Sequence, residues 1–348
     1  MFTWSETPLV DLWGQLRYLA SSANVYDLLS GQLGSQRQLG RQSLPLYNKS
    51  EALKARSHEI ASCIRQADEY YRSSDSVSLA TQPLLQFYGA ESLAKAVILA
   101  NVPDSQLSDM NYHGLSTKPN NAKDNVEELK AYDSNPNSWE VEKQFAITNK
   151  GVFPLLCKSV GDTLPPDGTV LFFKELLSTI PDMATRYAHF QETSHCFYLN
   201  SYPEINQDKK LHVSFSPREK LSKVIKVFPE FEDDFEQTGD GFLSRSTMNG
   251  YPPFLCLQEG TVAGIYLVRP IASGIYHSFP ILFATLFILS NIVRYKPAFW
   301  MKVIEGQSTG IISIVEAFCS IAKRRLPNDV LDAIWNEKYK YGTPGYWT

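Results

Sequence analysis

Residues 279–300, F-P-I-L-F-A-T-L-F-I-L-S-N-I-V-R-Y-K-P-A-F-W, form the most apolar run in the chain. Between positions 281 and 293 the run is apolar on every face of a helix, relieved only by Ala284, Thr285, Ser290 and Asn291. A helix with no polar face must be buried on all sides. A bilayer span takes about 20 apolar residues, and this run reaches Arg294 and Lys296 before that. The sequence therefore predicts a central core helix with other helices packed round it, and no membrane span. Pro280 suits a first helical turn, where its missing N–H costs nothing, and Pro297 ends or kinks the helix.

Enough apolar material exists to enclose such a helix: 43% of the 348 residues are hydrophobic and 20% charged. That is one large domain or two. Net charge is 33 − 37 = −4, which argues against wholesale coating by nucleic acid and leaves room for a local basic patch. The cysteines, Cys63, Cys157, Cys196, Cys256 and Cys319, are scattered and include no CxxC pair. Neither a disulfide framework nor a zinc site is expected, and no metal or cofactor. The start, M-F-T-W-S-E-T-P-L-V-D, has no basic n-region and no apolar core, so a cytoplasmic location is expected.

Residues 3–29 place Trp4, Leu9, Leu12, Trp13, Leu16, Leu19 and Ala20 on one helical face, and residues 30–50 read as an exposed connection. Helices come next at 51–73 and 83–101, where Gly89 and Ala90 admit a closely packed neighbour. Residues 111–119, N-Y-H-G-L-S-T-K-P, read as a turn, and the polar stretch 120–149 as a loop. Shorter helices are expected at 170–180 and 182–193. After position 194 the period changes. Residues 211–215 alternate as a strand, Ser216 and Pro217 open a helix, and 254–257 with 264–268 suggest a hairpin. A helix at 309–326 ends in Lys323, Arg324 and Arg325, which suit its negative end, and a last short helix covers 328–341. The fold class is mainly α, of α+β type, with strands confined to the insertion. The expected units are an N-terminal helix and linker (1–50), a helical region (51–194), a small α/β insertion (195–270) and C-terminal helices completing the core (271–348).

The order of these pieces carries a resemblance. F-Y-G-A-E-S-L-A-K-A-V-I-L-A, Y-H-G-L-S, K-G-V-F-P-L-L, F-K-E-L-L-S-T-I-P-D-M, N-I-V-R-Y-K-P-A-F-W and F-C-S-I-A-K-R-R-L-P-N succeed one another. Together they resemble the YaaC-like proteins, a bacterial family, over roughly 52–334. The first half is also similar to HEPN-type helical modules, antiparallel bundles with a helix of the F-Y-G-A-x-x-L-A-K-A kind. That likeness implies either an RNase of toxin, CRISPR or phage-defence systems or an inactive binding or dimerisation module. Active HEPN RNases carry Arg-x4–6-His. Here the histidines are His58, His113, His189, His195, His212 and His277. Arg56 and Arg186 precede histidines too closely, and Arg269 lies too far before His277.

Among the candidate residues, His113 is the acid/base group, although a lone histidine in a turn more often bonds backbone carbonyls. Arg294, Tyr295, Lys296 and Trp300 could contact an anion or nucleic acid; the plainer assignment is helix termination and core closure. Glu91 and Lys95 are spaced for an i,i+4 pair, and gain functional interest if their face is buried. P-loop, GxGxxG, HExxH and GxSxG motifs are missing. The expected function is a non-catalytic interaction subunit of a larger assembly, with phage defence as one setting, a protein partner or second copy, and no RNA cleavage. The rival is a divergent HEPN-like ribonuclease using His113. A carboxylate or arginine beside an open His113 would favour the rival.

Overall fold

The computed structural model describes residues 2–5, 7–38, 50–190, 194–260, 264–272, 274–307, 309–336 and 340–342. Helices α1 (Pro8–Leu19), α2 (Ser22–Gln38), α3 (Ser50–Asp75) and α4 (Gln82–Asn101) come first. Then come α5 (Val126–Asp133), α6 (Val152–Ser159), α7 (Phe173–Ser178), α8 (Ala184–Phe190), α9 (Leu221–Val227) and α10 (Glu230–Asp233). The last are α11 (Ser278–Tyr295), α12 (Pro297–Lys302) and α13 (Thr309–Trp335). Strands are β1 (Phe2–Trp4), β2 (His113–Ser116), β3 (Phe145–Gly151), β4 (Val170–Phe172), β5 (Cys196–Leu199) and β6 (Glu204–Ile205). They continue with β7 (Leu211–Ser214), β8 (Phe235–Gln237), β9 (Gly241–Ser244), β10 (Cys256–Glu259), β11 (Ile265–Val268) and β12 (Lys340–Gly342). The fold is mainly helical, with small antiparallel sheets.

Helix α11 is the centre. Every residue from Ser278 to Ile292 is buried, against α4, α6, α7, α12, α13 and β3. Its polar side chains turn back on the helix itself. Thr285 donates to the Ile281 carbonyl (2.7 Å), and Ser290 and Asn291 donate to that of Phe287 (2.8 and 2.9 Å), so none of the three is stranded in the core. By length and apolarity alone, with a mean hydropathy of 1.4, α11 passes as a membrane span, but 83% of it is buried inside the protein's own core.

The α3–α4 pair lies against this centre. At Gly89 a Cβ would stand 2.6 Å from the Tyr71 ring, so only glycine lets α4 approach α3 this closely. Arg56 on α3 caps the far end of α4, donating to the carbonyls of Leu99, Val102 (2.6 Å) and Pro103 (2.6 Å). A charged donor thereby satisfies carbonyls that the helix leaves open.

The N-terminus of α11 is fastened by Asp162, whose carboxylate accepts from the His277 N–H (3.2 Å) and the Tyr276 N–H (3.4 Å). Burial pushes the carboxyl up to about 7 despite those donors. Its titratable neighbours Cys157, Cys256 and Tyr276 are all raised by burial and stay neutral there. A carboxyl whose folded pKa exceeds its unfolded one favours the fold at low pH, and that contribution is lost as pH rises from about 4 to about 7. Asp162→Asn keeps an acceptor oxygen and removes the titration. The variant's unfolding free energy is expected to gain on the wild type's across that interval, by a few kcal/mol at most at about 1.4 kcal/mol per pKa unit, and its melting temperature to rise with it. A pH-independent gap between the two melting curves would contradict this.

A second core gathers Phe197, Phe215, Phe228, Phe231, Phe235 and Phe242. Two antiparallel sheets, β10-β11-β5 and β6-β7-β9-β8, enclose it with α9 and α10. Strands in this stretch were expected. Strands elsewhere were not: β2-β3-β4 forms a third antiparallel sheet, and β1 pairs parallel with β12.

Other local expectations are corrected too. Residues 120–149 carry α5 and most of β3, held by Leu129, Phe145 and Ile147. Positions 170–180 begin as strand β4 before turning into α7, and 3–29 divide into β1, α1 and the start of α2, which continues to Gln38. Ser216 closes a turn with Glu219 (2.8 Å), and α9 starts only at Leu221. No separate helix begins at 328, because α13 runs unbroken through Pro327 to Trp335.

Candidate functional site

Strand β2 begins with His113, and its placement depends on the next residue. Gly114 has φ +78°, and a Cβ there would lie 2.5 Å from the Phe153 backbone nitrogen at the start of α6. Glycine alone fits that backbone and that approach. The strand is thus laid beside α4, with the His113 ring between Phe87 (centroids 5.2 Å) and Phe287 (5.9 Å). His113 Nδ1 stands 3.1 Å from Glu91 Oε1, and Lys95 Nζ stands 3.1 Å from the same oxygen. The Nδ1 contact is off the line of a hydrogen bond and acts as an electrostatic pairing. Nδ1 is buried while 34% of the side chain is exposed.

Burial pushes the Glu91 carboxyl up, but His113 and Lys95 outweigh it and hold the carboxyl below its usual range. A buried ionised carboxylate therefore backs a partly exposed imidazole. This differs from the sequence reading on two counts. His113 lies in a strand and not a turn, and it has a carboxylate partner. The i,i+4 spacing of Glu91 and Lys95 was the available signal.

Arg294 on α11 meets α4 at Tyr88, which precedes Glu91 by one helical turn in the chain. It donates to the Tyr88 hydroxyl (3.2 Å) and to the Ser290 carbonyl (3.3 Å), and lies over the rings of Tyr88 and Tyr295. Among the described residues no carboxylate pairs with it. Lys95 shares Glu91 with His113, whereas Arg294 keeps a positive charge with no carboxylate partner among the described residues, so an anion is favoured at Arg294. A cavity of about 580 Å³ opens between α3, α4 and the turn at 107–111, and Lys95 lines it.

The model of the YaaC-like protein family matches residues 30–334, a span that contains all of these groups. The chain belongs to the YaaC-like family. No curated protein and no solved structure matches it.

In this YaaC-like chain the remaining sequence candidates separate. Tyr295 is 68% exposed, beside Arg294 and not closing the core. Lys296 is fully engaged: it donates to Asp133 (2.9 Å) and Gln144 (3.0 Å) and lies 4.1 Å over the Trp139 ring. It tethers the segment after β2 to the end of α11. Lys296→Met is expected to lower stability by about 1–2 kcal/mol, the sum of a cation–π contact and charge-assisted bonds, and a denaturation midpoint equal to that of the wild type would refute the tether. Trp300 is buried and donates to the Leu79 carbonyl (3.3 Å), a core residue. Arg325 does not sit at a solvated helix end. It pairs with Asp329 (3.0 Å) and donates to the Glu259 carbonyl (2.6 Å), joining α13 to β10.

Proposed function

We propose that this YaaC-like protein carries out acid–base chemistry on a phosphate ester, with His113 as the acid/base group and RNA as the substrate. The Glu91–His113 pairing carries this reading: a carboxylate 3.1 Å behind an imidazole that opens to solvent. A carboxylate in that position offsets the positive charge that develops on the ring in the transition state of proton transfer. Lys95 and Arg294 supply positive charge for the phosphate. RNA asks least of such a site, since its own 2′-hydroxyl is the nucleophile. His113 removes the 2′-hydroxyl proton as that oxygen attacks phosphorus, and the P–O5′ bond breaks as the imidazolium returns the proton to the departing 5′-oxygen. This is the divergent HEPN-like ribonuclease, with Arg294 arriving from another helix in place of the Arg-x4–6-His pattern, and with the α3–α4 pair read as part of a HEPN-like bundle.

The test is incubation of a single-stranded RNA oligonucleotide with the purified protein. Product ending in a 2′,3′-cyclic phosphate is expected. No cleavage above background between pH 5 and 9 would remove the reading.

One observation favours a second function, the non-catalytic interaction subunit. Tyr112 is 75% and Tyr295 68% exposed, and aromatic residues of this kind anchor protein interfaces. On that reading Glu91, His113 and Lys95 fasten β2 to α4, and the protein partner or second copy covers the tyrosines. A phage-defence assembly is the setting the HEPN likeness implies.

A further inference from the structure

We propose that the cavity between α3, α4 and the 107–111 turn is a nucleoside subsite, holding the base and sugar of a nucleotide whose phosphate reaches Lys95 and His113. The inference rests on the phosphate-ester reading for the phosphate end alone. Its volume, about 580 Å³, lies within the range of small-ligand sites, about 300–1,000 Å³. The lining supplies different chemistry at different points. Leu107 and Met110 give an apolar surface, and a thioether packs well on a flat ring. Gln66 and Asn111 bring carboxamides: Gln66 Oε1 accepts from Ser92 (3.1 Å) and Asn111 Nδ2 donates to Ser108 (2.7 Å), which leaves the Gln66 amide to donate to a base edge and the Asn111 oxygen to accept from it. Glu59 brings a carboxylate, an acceptor for sugar hydroxyls like the acid in dinucleotide sites.

Lys95 stands in both the cavity and the Glu91–His113 cluster, so a ligand filling the cavity presents its anionic end to the acid/base group. A lipid tail would meet a mostly polar lining, from Glu59, Ser62, Gln66, Lys95 and Asn111. A metal ion would find one carboxylate beside an ammonium. Cys63 also lines the space; burial pushes its thiol up to about 11, so it stays neutral and contributes packing.

The experiment is calorimetric titration of the full chain with adenosine 5′-monophosphate, adenosine and inorganic phosphate. The nucleotide is expected to bind with Kd below about 1 mM and at least about tenfold more tightly than phosphate. Ser62→Trp, which fills the cavity from a half-exposed position on α3, is expected to weaken the nucleotide by about tenfold or more. The double variant Gln66→Ala, Asn111→Ala serves if that chain melts early, and is expected to weaken binding by about fivefold or more. Nucleotide binding no tighter than phosphate, or unaltered by both variants, overturns the assignment. An oligoribonucleotide that displaces the monophosphate identifies the ligand as a unit of RNA, and failure to displace it identifies a free nucleotide. His113→Ala separates the two readings. Unchanged RNA turnover in that variant sinks the acid–base function while nucleotide binding still supports the subsite. RNA cleavage by a wild type that ignores the nucleotide does the reverse.

Discussion

Leu286→Asp is expected to abolish cooperative folding. Leu286 is fully buried in the middle of α11, with buried residues before and after it along the helix. The substitution loses the apolar contact of a core leucine, about 2–5 kcal/mol for truncation alone. It adds the cost of a buried unpaired carboxylate, several kcal/mol more. Domains of ordinary stability hold only about 5–15 kcal/mol, so the two losses together consume most or all of it. Leu286→Met conserves volume and is expected to cost less than about 1.5 kcal/mol. Thermal melting monitored by circular dichroism reads both. A Leu286→Asp chain that melts cooperatively at the wild-type temperature would show that α11 is not enclosed.

The contrast between α11 and the site explains what the residues reveal in order and what they do not. An unbroken apolar helix advertises its burial locally, as does the Gly89 approach to Tyr71. The Glu91–His113 contact joins α4 to β2 across an intervening turn, and is made by a left-handed glycine and an irregular register between His113 and Leu115. No period in the sequence encodes it. Strands β2 and β4 are four and three residues long, too short for alternation to register. Residues 120–149 look like a loop by polarity, yet a few apolar side chains, Leu129, Phe145 and Ile147, suffice to fix them. Pro327 argues for a helix end, and burial of Val330, Leu331 and Ile334 beyond it overrides that preference. Lys296 and Trp300 stand out in the sequence for their chemistry, and tertiary partners 152 and 221 positions away absorb them.

His113→Ala is expected to lower RNA cleavage by about 10²–10⁴-fold, the usual contribution of a positioned acid/base group. Glu91→Gln keeps the shape of the carboxylate and removes its charge, and a loss of at least about tenfold is expected from the weaker stabilisation of the protonated ring. Because Glu91 also holds Lys95, the melting of Lys95→Met, read apart from its turnover, reports how much of any stability loss in Glu91→Gln comes from that ion pair. The two roles open to the cluster respond differently to substitution. A tether for β2 shifts melting in each variant and leaves nothing for turnover to report. An acid/base pair changes kcat with melting held, and shows non-additivity, since removing Glu91 matters little once His113 is gone. The decisive measurement is therefore the double variant His113→Ala, Glu91→Gln beside both single ones. Losses that multiply as independent factors would mean that the two side chains do not act as a unit, and the acid–base function would fall with them.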